Sequence, residues 1–207
     1  MNTAAATTTT TTPSTSSSSA MMNSRRCVIC RCTRVLSIQS HTVRGHVGNK
    51  SACLPLQVLG YEVDNINSVQ LSNHTGYPYY AGQILSGSDL DTLIDGLERN
   101  GLLEDYSHIL TGYIGSLSFL ESIASAVKKV IDSKRKEMKD EKKSESNDVC
   151  YVCDPVLGDE GKLYVPEELV QAYKEKIIPL AGIITPNQFE VEKLVRRICL
   201  MISMRDA

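Results

Sequence analysis

From Arg34 onward, short apolar runs rich in β-branched residues alternate with longer stretches whose apolar residues recur at helical spacing. This alternation limits the fold more than any other feature, because it calls for parallel strands joined by crossover helices. Val35–Gln39, Tyr61–Ser68, Ser107–Leu110, Val149–Cys153 and Gly182–Ile184 read as five strands. Between them, Asn49–Leu59 reads as a helix with Ala52, Leu56 and Leu59 on one face, kinked or tightened by Pro55 and closed by Gly60. Ser88-x-x-Asp91 reads as the cap of a helix carrying Leu90, Leu93, Ile94 and Leu97, stopped by Gly101. Leu117–Ile131 has the strongest stripe: Leu117, Leu120, Ile123, Ala124, Val127 and Ile131. The charged run Lys134–Asp148 reads as a solvated helix end and loop. Pro166 is expected to open a helix through Lys176, with Glu167 and Glu168 favourable in its first turn. Asn187 is expected to cap a last helix running toward Ile198.

In such a sheet, ligands bind beyond the carboxyl ends of the strands. The polar clusters fall there: Ser40-His41, Asn73-His74-Thr75-Gly76-Tyr77, Thr111-Gly112-Tyr113, Asp154 with Asp159, and Thr185-Pro186-Asn187. Asp154-Pro155-Val156-Leu157-Gly158-Asp159 places two carboxylates on a sharp turn, since Pro155 fixes one backbone angle and Gly158 frees another. Two such carboxylates can hold magnesium, with phosphate oxygens completing its shell. Spacing alone leaves that reading level with a plain polar loop. The convergence of polar clusters on one edge raises it above the loop.

Other site classes find less support. Gly45-His46-Val47-Gly48-Asn49-Lys50-Ser51 fails as a phosphate loop because Arg44 and Asn49 stand where glycines are needed. No Gly-x-Gly-x-x-Gly follows the first strand. His41, His46, His74 and His108 lack metal-ligand spacing. Cys27-x-x-Cys30 and Cys150-x-x-Cys153 suggest zinc only superficially, since Cys150 and Cys153 lie three apart on a strand and point to opposite faces. Seven cysteines in 207 residues argue for reduced thiols. A net charge of −2 favours no nucleic-acid partner, and no apolar run reaches membrane-spanning length.

Residues 1–32 differ in kind. They carry the threonine run Thr7–Thr12, the serine run Ser16–Ser19 and late arginines, and no acidic residue precedes Glu62. The composition predicts disorder and suits an organellar transit peptide, plastid rather than mitochondrial. The competing reading is an untargeted low-complexity tail on a cytoplasmic protein, with Met21 and Met22 as internal starts.

Several longer motifs occur in a fixed order. They are Ser37-Ile38-Gln39-Ser40-His41, Gly45-x-Val47-Gly48-Asn49, Leu56-Gln57-x-Leu59-Gly60, and Asn67-Ser68-Val69-Gln70-x-Ser72-Asn73-His74-Thr75-Gly76-Tyr77. Leu110-Thr111-Gly112-Tyr113, Val152-Cys153-Asp154-Pro155-Val156-Leu157-Gly158-Asp159 and Ile184-Thr185-Pro186-Asn187-Gln188-Phe189-Glu190 complete the set. From about Arg34 to Leu194 the chain closely resembles the pyridoxal kinases, vitamin B6 kinases of the ribokinase-like superfamily, and the extended tail suggests a plant-type member.

The resemblance implies an α/β, three-layer ribokinase-like fold with a mostly parallel central sheet, and a homodimer. It implies transfer of a phosphoryl group from ATP to pyridoxal, pyridoxine or pyridoxamine, with Mg2+ and a monovalent cation (K+ or Na+). On the vitamer side it places Ser40 at the ring nitrogen and hydroxyl edge, with Val47, His74 and Thr75 against the ring. Tyr113 stacks over the ring and Tyr164 belongs to a lid. Asp154 and Asp159 lie near magnesium and polyphosphate, Thr185 near the monovalent cation, and Asn187 and Glu190 in the metal–nucleotide network.

The family's Gly-x-Gly-Asp turn, which carries the general base, does not occur in these 207 residues. The sequence therefore reads as three stretches: the tail 1–32, an N-terminal kinase portion 33–194, and a divergent end 195–207 with the C-terminal part of the fold missing. Weak or absent turnover is expected of it alone, and the competing function is a non-catalytic B6-binding or regulatory partner of a full-length subunit. Loss of part of a parallel sheet would also expose apolar surface and favour aggregation.

Overall fold

A computed structural model describes residues 33–141 and 148–195. The tail 1–32, most of the end 195–207, and the pair Cys27 and Cys30 lie outside the described residues. In chain order the elements are β1 (Arg34–Thr42), α1 (Asn49–Val58), β2 (Glu62–Leu71), β3 (Gly82–Ile84), α2 (Gly87–Arg99), β4 (Tyr106–Thr111), α3 (Leu117–Glu141), β5 (Cys150–Cys153), β6 (Gly158–Asp159), β7 (Lys162–Leu163), α4 (Glu167–Ala172), β8 (Ile183–Ile184) and α5 (Gln188–Leu194). Six strands form one sheet in the order β3-β2-β1-β4-β5-β8. All neighbours pair parallel except β3, which runs antiparallel against Val69–Leu71. β6 and β7 make a separate small hairpin.

Alternation along the strands sets the layers. Leu36, Ile38, Ile109, Tyr151 and Cys153 point into the main core, where they join Leu90 and Ile94 of α2 and Leu120, Ile123 and Val127 of α3. Ser37 and Gln39 point the other way, toward α1, where Asn49 meets them. α1 therefore lies on the face opposite α2 and α3. On that face Leu110, Val152 and Ile183 form a row in register across β4, β5 and β8. Ile183 at the β8 edge is 51% exposed. Cys150 and Cys153 fall on opposite faces of β5, as their spacing requires.

Several elements differ from the sequence reading. The α2 cap is Ser86 with Asp89, two residues earlier than expected: Ser86 is extended and accepts from the Asp89 N–H, while Asp89 accepts from the Ser86 N–H. Ser88 falls inside the first turn, because two Ser-x-x-Asp frames overlap and the upstream one has the extended backbone a cap needs. Pro166 stands just outside α4 in an extended conformation. After Ala172 the helix continues as a π turn, Tyr173–Ile177, and then a 3-10 turn, Ile178–Leu180. In α1 the expected stripe fails at Leu59, which is 72% exposed, and the buried residue is Asn49. Leu117 at the start of the α3 stripe is likewise partly exposed, while Phe119, Ala126 and Val130 add to the buried face. β3 and the β6–β7 hairpin were not expected; two- and three-residue strands are too short to show a period.

Candidate active site

β1 is the topological switch point. α1 leads from β1 to β2 on one side, while the later crossover through α2 leads to β4 on the other, which opens a crevice at the carboxyl ends of β1 and β4. Ser40 lies on this edge, inside β1 and not after it, because β1 extends to Thr42. Gly48 packs directly on Ser40: a Cβ on Gly48 would stand 2.2 Å from the Ser40 carbonyl oxygen and 2.5 Å from its Oγ. With φ at +51°, Gly48 also holds a backbone that side chains rarely adopt. This close approach places the half-buried Val47 beside Ser40. The intervening loop is tied by Lys50, whose Nζ donates to the Val43 carbonyl at 2.7 Å.

Across the crevice, Gly112 donates to the Ile38 carbonyl at 3.2 Å. Ser68 Oγ donates to the Tyr113 carbonyl at 3.3 Å, which fixes Tyr113 over the β1 end. Burial, and then the nearby Tyr80, raise the Tyr113 phenol above its usual pKa. Tyr80 belongs to the Ser72–Ala81 loop, which also carries His74 and Thr75, both exposed. Asn73 Nδ2 braces this loop by donating to the carbonyls of His74 and Tyr79. His74 Nδ1 accepts the Gly76 N–H at 3.0 Å, so its Nε2 is the ring nitrogen turned to other partners.

The ends of β4, β5 and β8 are stitched one residue past the strands. Asp154 donates its N–H to the Thr111 carbonyl at 2.9 Å, and Thr185 donates its N–H to the Cys153 carbonyl at 3.1 Å. Thr185 Oγ1 then reaches Asp154 Oδ1 at 3.2 Å. Glu190 is buried. Its Oε1 accepts from the Leu157 N–H at 2.9 Å and the Gly158 N–H at 3.5 Å, and its Oε2 accepts from the Asn187 N–H at 2.9 Å. Asn187 Oδ1 accepts the Glu190 N–H, and its Nδ2 donates to the Gly158 carbonyl at 2.9 Å. The polar atoms of Asn187 and Glu190 are thus engaged in capping α5 and gripping the segment that carries the two aspartates.

Asp159 departs from the expected turn. It lies in β6, is exposed, and its Oδ1 accepts the Glu160 N–H at 2.8 Å. Among the described residues no hydrogen bond joins it to Asp154. Tyr164, just past β7, is 59% exposed and donates its N–H to the Leu157 carbonyl. The structure therefore brings Asp154, Thr185, Asn187 and Glu190 into one cluster and Ser40 with Val47 into another. Tyr113 faces the loop of His74 and Thr75. The sequence reading overlooked Asn49 and Tyr80. Asn49 followed a glycine at a helix start and so resembled an ordinary cap, and Tyr80 sat among exposed loop tyrosines with no period to mark it.

Burial raises the Asp154 carboxyl above the ordinary carboxylate range; the Thr185 hydroxyl works against this and Glu190 adds to it. The native state therefore takes up the Asp154 proton more readily than the unfolded chain, so ionised Asp154 lowers stability at neutral pH. That penalty fades as the pH falls through the native pKa toward about 3.9. Asp154→Asn keeps the acceptor for Thr185 and removes the charge. Its expected effect is a gain below about 1 kcal/mol at pH 7 that shrinks toward pH 4.5. Melting curves at both pH values measure it, and a less stable variant at pH 7 would contradict the assignment.

Among the described residues no three His, Cys, Asp or Glu side chains converge as a ready-made metal cage. The donors present near Asp154 are hard oxygens. No helix among the described residues is long and apolar enough to cross a membrane.

Known proteins resemble this arrangement. A family model described as phosphomethylpyrimidine kinase matches residues 121–206. A pyridoxal kinase of Arabidopsis thaliana is 62% identical over 161 residues, which cover 78% of this chain and 48% of the relative. A human pyridoxal kinase is 51% identical over 168 residues, covering 79% of this chain and 50% of the relative. The solved pyridoxal kinase of Leishmania donovani in complex with ADP and pyridoxamine superposes with a TM-score of 0.73 at 39% identity, over 84% of this chain and 58% of that one. The chain spans about half the length of the curated relatives it matches. A shared fold, order of motifs and strand-edge site at this level of identity lead to one conclusion: the chain belongs to the pyridoxal kinase family.

Proposed function

We propose that this chain carries the vitamer-binding portion of an ATP-dependent kinase that phosphorylates pyridoxal, pyridoxine and pyridoxamine, acting in the homodimer the resemblance implies. The observation that carries the reading is the crevice at the switch point, with Ser40 and Val47 on one wall and Tyr113 on the other. Ser40 offers a hydroxyl to the polar edge of a pyridine ring, and Val47 and Tyr113 offer apolar faces. His74 and Thr75 approach from the β2–β3 loop.

The residues suit a hard cation whose shell is completed by phosphate oxygens and water. Asp154 and Asp159 would hold Mg2+, and Thr185 a monovalent cation (K+ or Na+). Cations there would offset charge on the transferred phosphoryl group. Asn187 and Glu190 keep the aspartate-bearing segment in place, and Tyr164 caps the pocket from the hairpin side.

A ligand stabilises the state it binds, by about 2.7 kcal/mol at a hundredfold excess over its Kd. Pyridoxal is therefore expected to raise the melting temperature of the chain in a saturable way, and Ser40→Ala to weaken the response. A flat titration up to millimolar pyridoxal would sink the reading. A larger shift with ATP–Mg2+ than with pyridoxal would reassign the crevice to nucleotide.

The Ser/Thr-rich, acid-free composition of residues 1–32 supports a plastid location. A fluorescent protein fused to the C-terminus of the full chain is expected to enter plastids in plant cells; a diffuse cytoplasmic signal would reject it.

A further inference from the structure

Tyr173 begins the π turn that follows α4. Such turns replace regular helical hydrogen bonding and recur where a helix re-aims a side chain. The Tyr173 side chain is fully buried, and its hydroxyl has no hydrogen-bond partner among the described residues. The core nearby does satisfy its other tyrosine: the Tyr151 hydroxyl lies 2.9 Å from Thr111 Oγ1. The groups whose charges reach the Tyr173 hydroxyl are Cys153, Tyr151, Asp154 and Glu190, which places it beneath the carboxylates at the end of β5. Burial, with those neighbours, raises its phenol well above the usual value.

A hydroxyl left unpaired in a core is costly, and a buried water normally serves such a group when two to four polar partners surround it. The partners are at hand. Asp154 Oδ1 receives Thr185, which leaves Oδ2 open, and Glu190 Oε2 receives only the Asn187 N–H. We propose that Tyr173 is a positioning residue for these carboxylates: its hydroxyl donates to one internal water, which donates to Glu190 and Asp154 and steadies them from below. Every donor and acceptor then has a partner. The bridge itself does not depend on what the site binds, but its effect on cation affinity rests on the proposed kinase function.

Tyr173→Phe decides between the two states of the hydroxyl. With a water bridge, the folding equilibrium constant falls roughly five- to tenfold. With an unpaired hydroxyl, the same change raises it, and the proposal fails. Titration with Mn2+ alone, followed by electron paramagnetic resonance, reads the positioning. Tyr173→Phe is expected to weaken Mn2+ binding about threefold or more. Ile177→Val, an apolar trim on the same π turn, is expected to lose stability and keep its Mn2+ affinity. Equal loss of affinity in both variants would reduce Tyr173 to a packing residue and overturn the proposal. If the unmutated chain binds no Mn2+, the metal part of the proposed function fails, and the sign of the stability change still decides the bridge. Should Tyr173→Phe not fold, a high-resolution crystal structure of the unmutated chain decides it: ordered density within hydrogen-bond distance of Tyr173 Oη supports the water, and a dry contact refutes it.

Discussion

Replacing Glu190 with alanine is expected to destabilise the chain by about 3–4 kcal/mol. The carboxylate accepts N–H groups from Leu157, Gly158 and Asn187, the first two on buried residues. A hydrogen bond to a charged acceptor contributes about 1.5–3 kcal/mol, and each buried donor left without one costs about 1–3 kcal/mol. Alanine removes all three acceptor contacts and leaves a gap too small and too closed for bulk water. Glu190→Gln should cost less, about 2 kcal/mol, because one oxygen remains while the new amide meets a donor. Asn187→Ala acts on the same loop through the Gly158 carbonyl, so the double variant should fall short of the sum by about 1 kcal/mol or more. Urea denaturation of the single and double variants measures all of this. A loss below about 1 kcal/mol for Glu190→Ala would mean that the loop holds itself. The functional consequence is direct, since this loop joins Asp154 to Asp159.

The sequence displays the fold's period but hides its shortest parts. Five strands and the helices between them are legible because each has an apolar pattern long enough to show a repeat, as Leu120, Ile123 and Val127 do in α3. The two-residue strands Gly158–Asp159 and Lys162–Leu163 have no pattern to read, which is why Asp159 looked like a turn residue. Side-chain roles divide in the same way. That Asp154 and Thr185 would meet follows from both standing one residue past neighbouring strands. That Glu190 would face backbone N–H groups of a segment more than thirty positions earlier follows from no local rule. Tyr173 is hidden for another reason: helical periodicity places it one way, and the π turn rotates it.

Asn49 is expected to be the most sensitive polar position in the sheet, and its replacement tells hydrogen bonding from shape. The side chain is fully buried between β1, β2 and the start of α1. Its Oδ1 accepts from Ser37 Oγ at 2.8 Å, and its Nδ2 lies 2.9 Å from both the Ile66 carbonyl and Asn67 Oδ1. Gln39 Nε2 completes the network by donating to Ser37 Oγ at 2.9 Å. Asn49→Ala should cost about 3 kcal/mol, since it leaves the Ser37 hydroxyl and the Ile66 carbonyl without partners. Asn49→Asp has nearly the same shape yet should cost about 4 kcal/mol or more at pH 7, because it sets a buried carboxylate oxygen against two acceptors. The introduced carboxyl would be easier to protonate in the native state than in the unfolded chain. Lowering the pH through its raised native pKa therefore restores stability, since the protonated acid regains a donor for Ile66 or Asn67. Denaturation at pH 7 and pH 5 should show Asn49→Asp recovering toward the unmutated chain while Asn49→Ala does not move in parallel. If the two variants lose equal stability at both pH values, Asn49 acts by filling space alone. If they separate as argued, the network also explains how Gly48, the next residue in the chain, is held against Ser40 at the wall of the crevice.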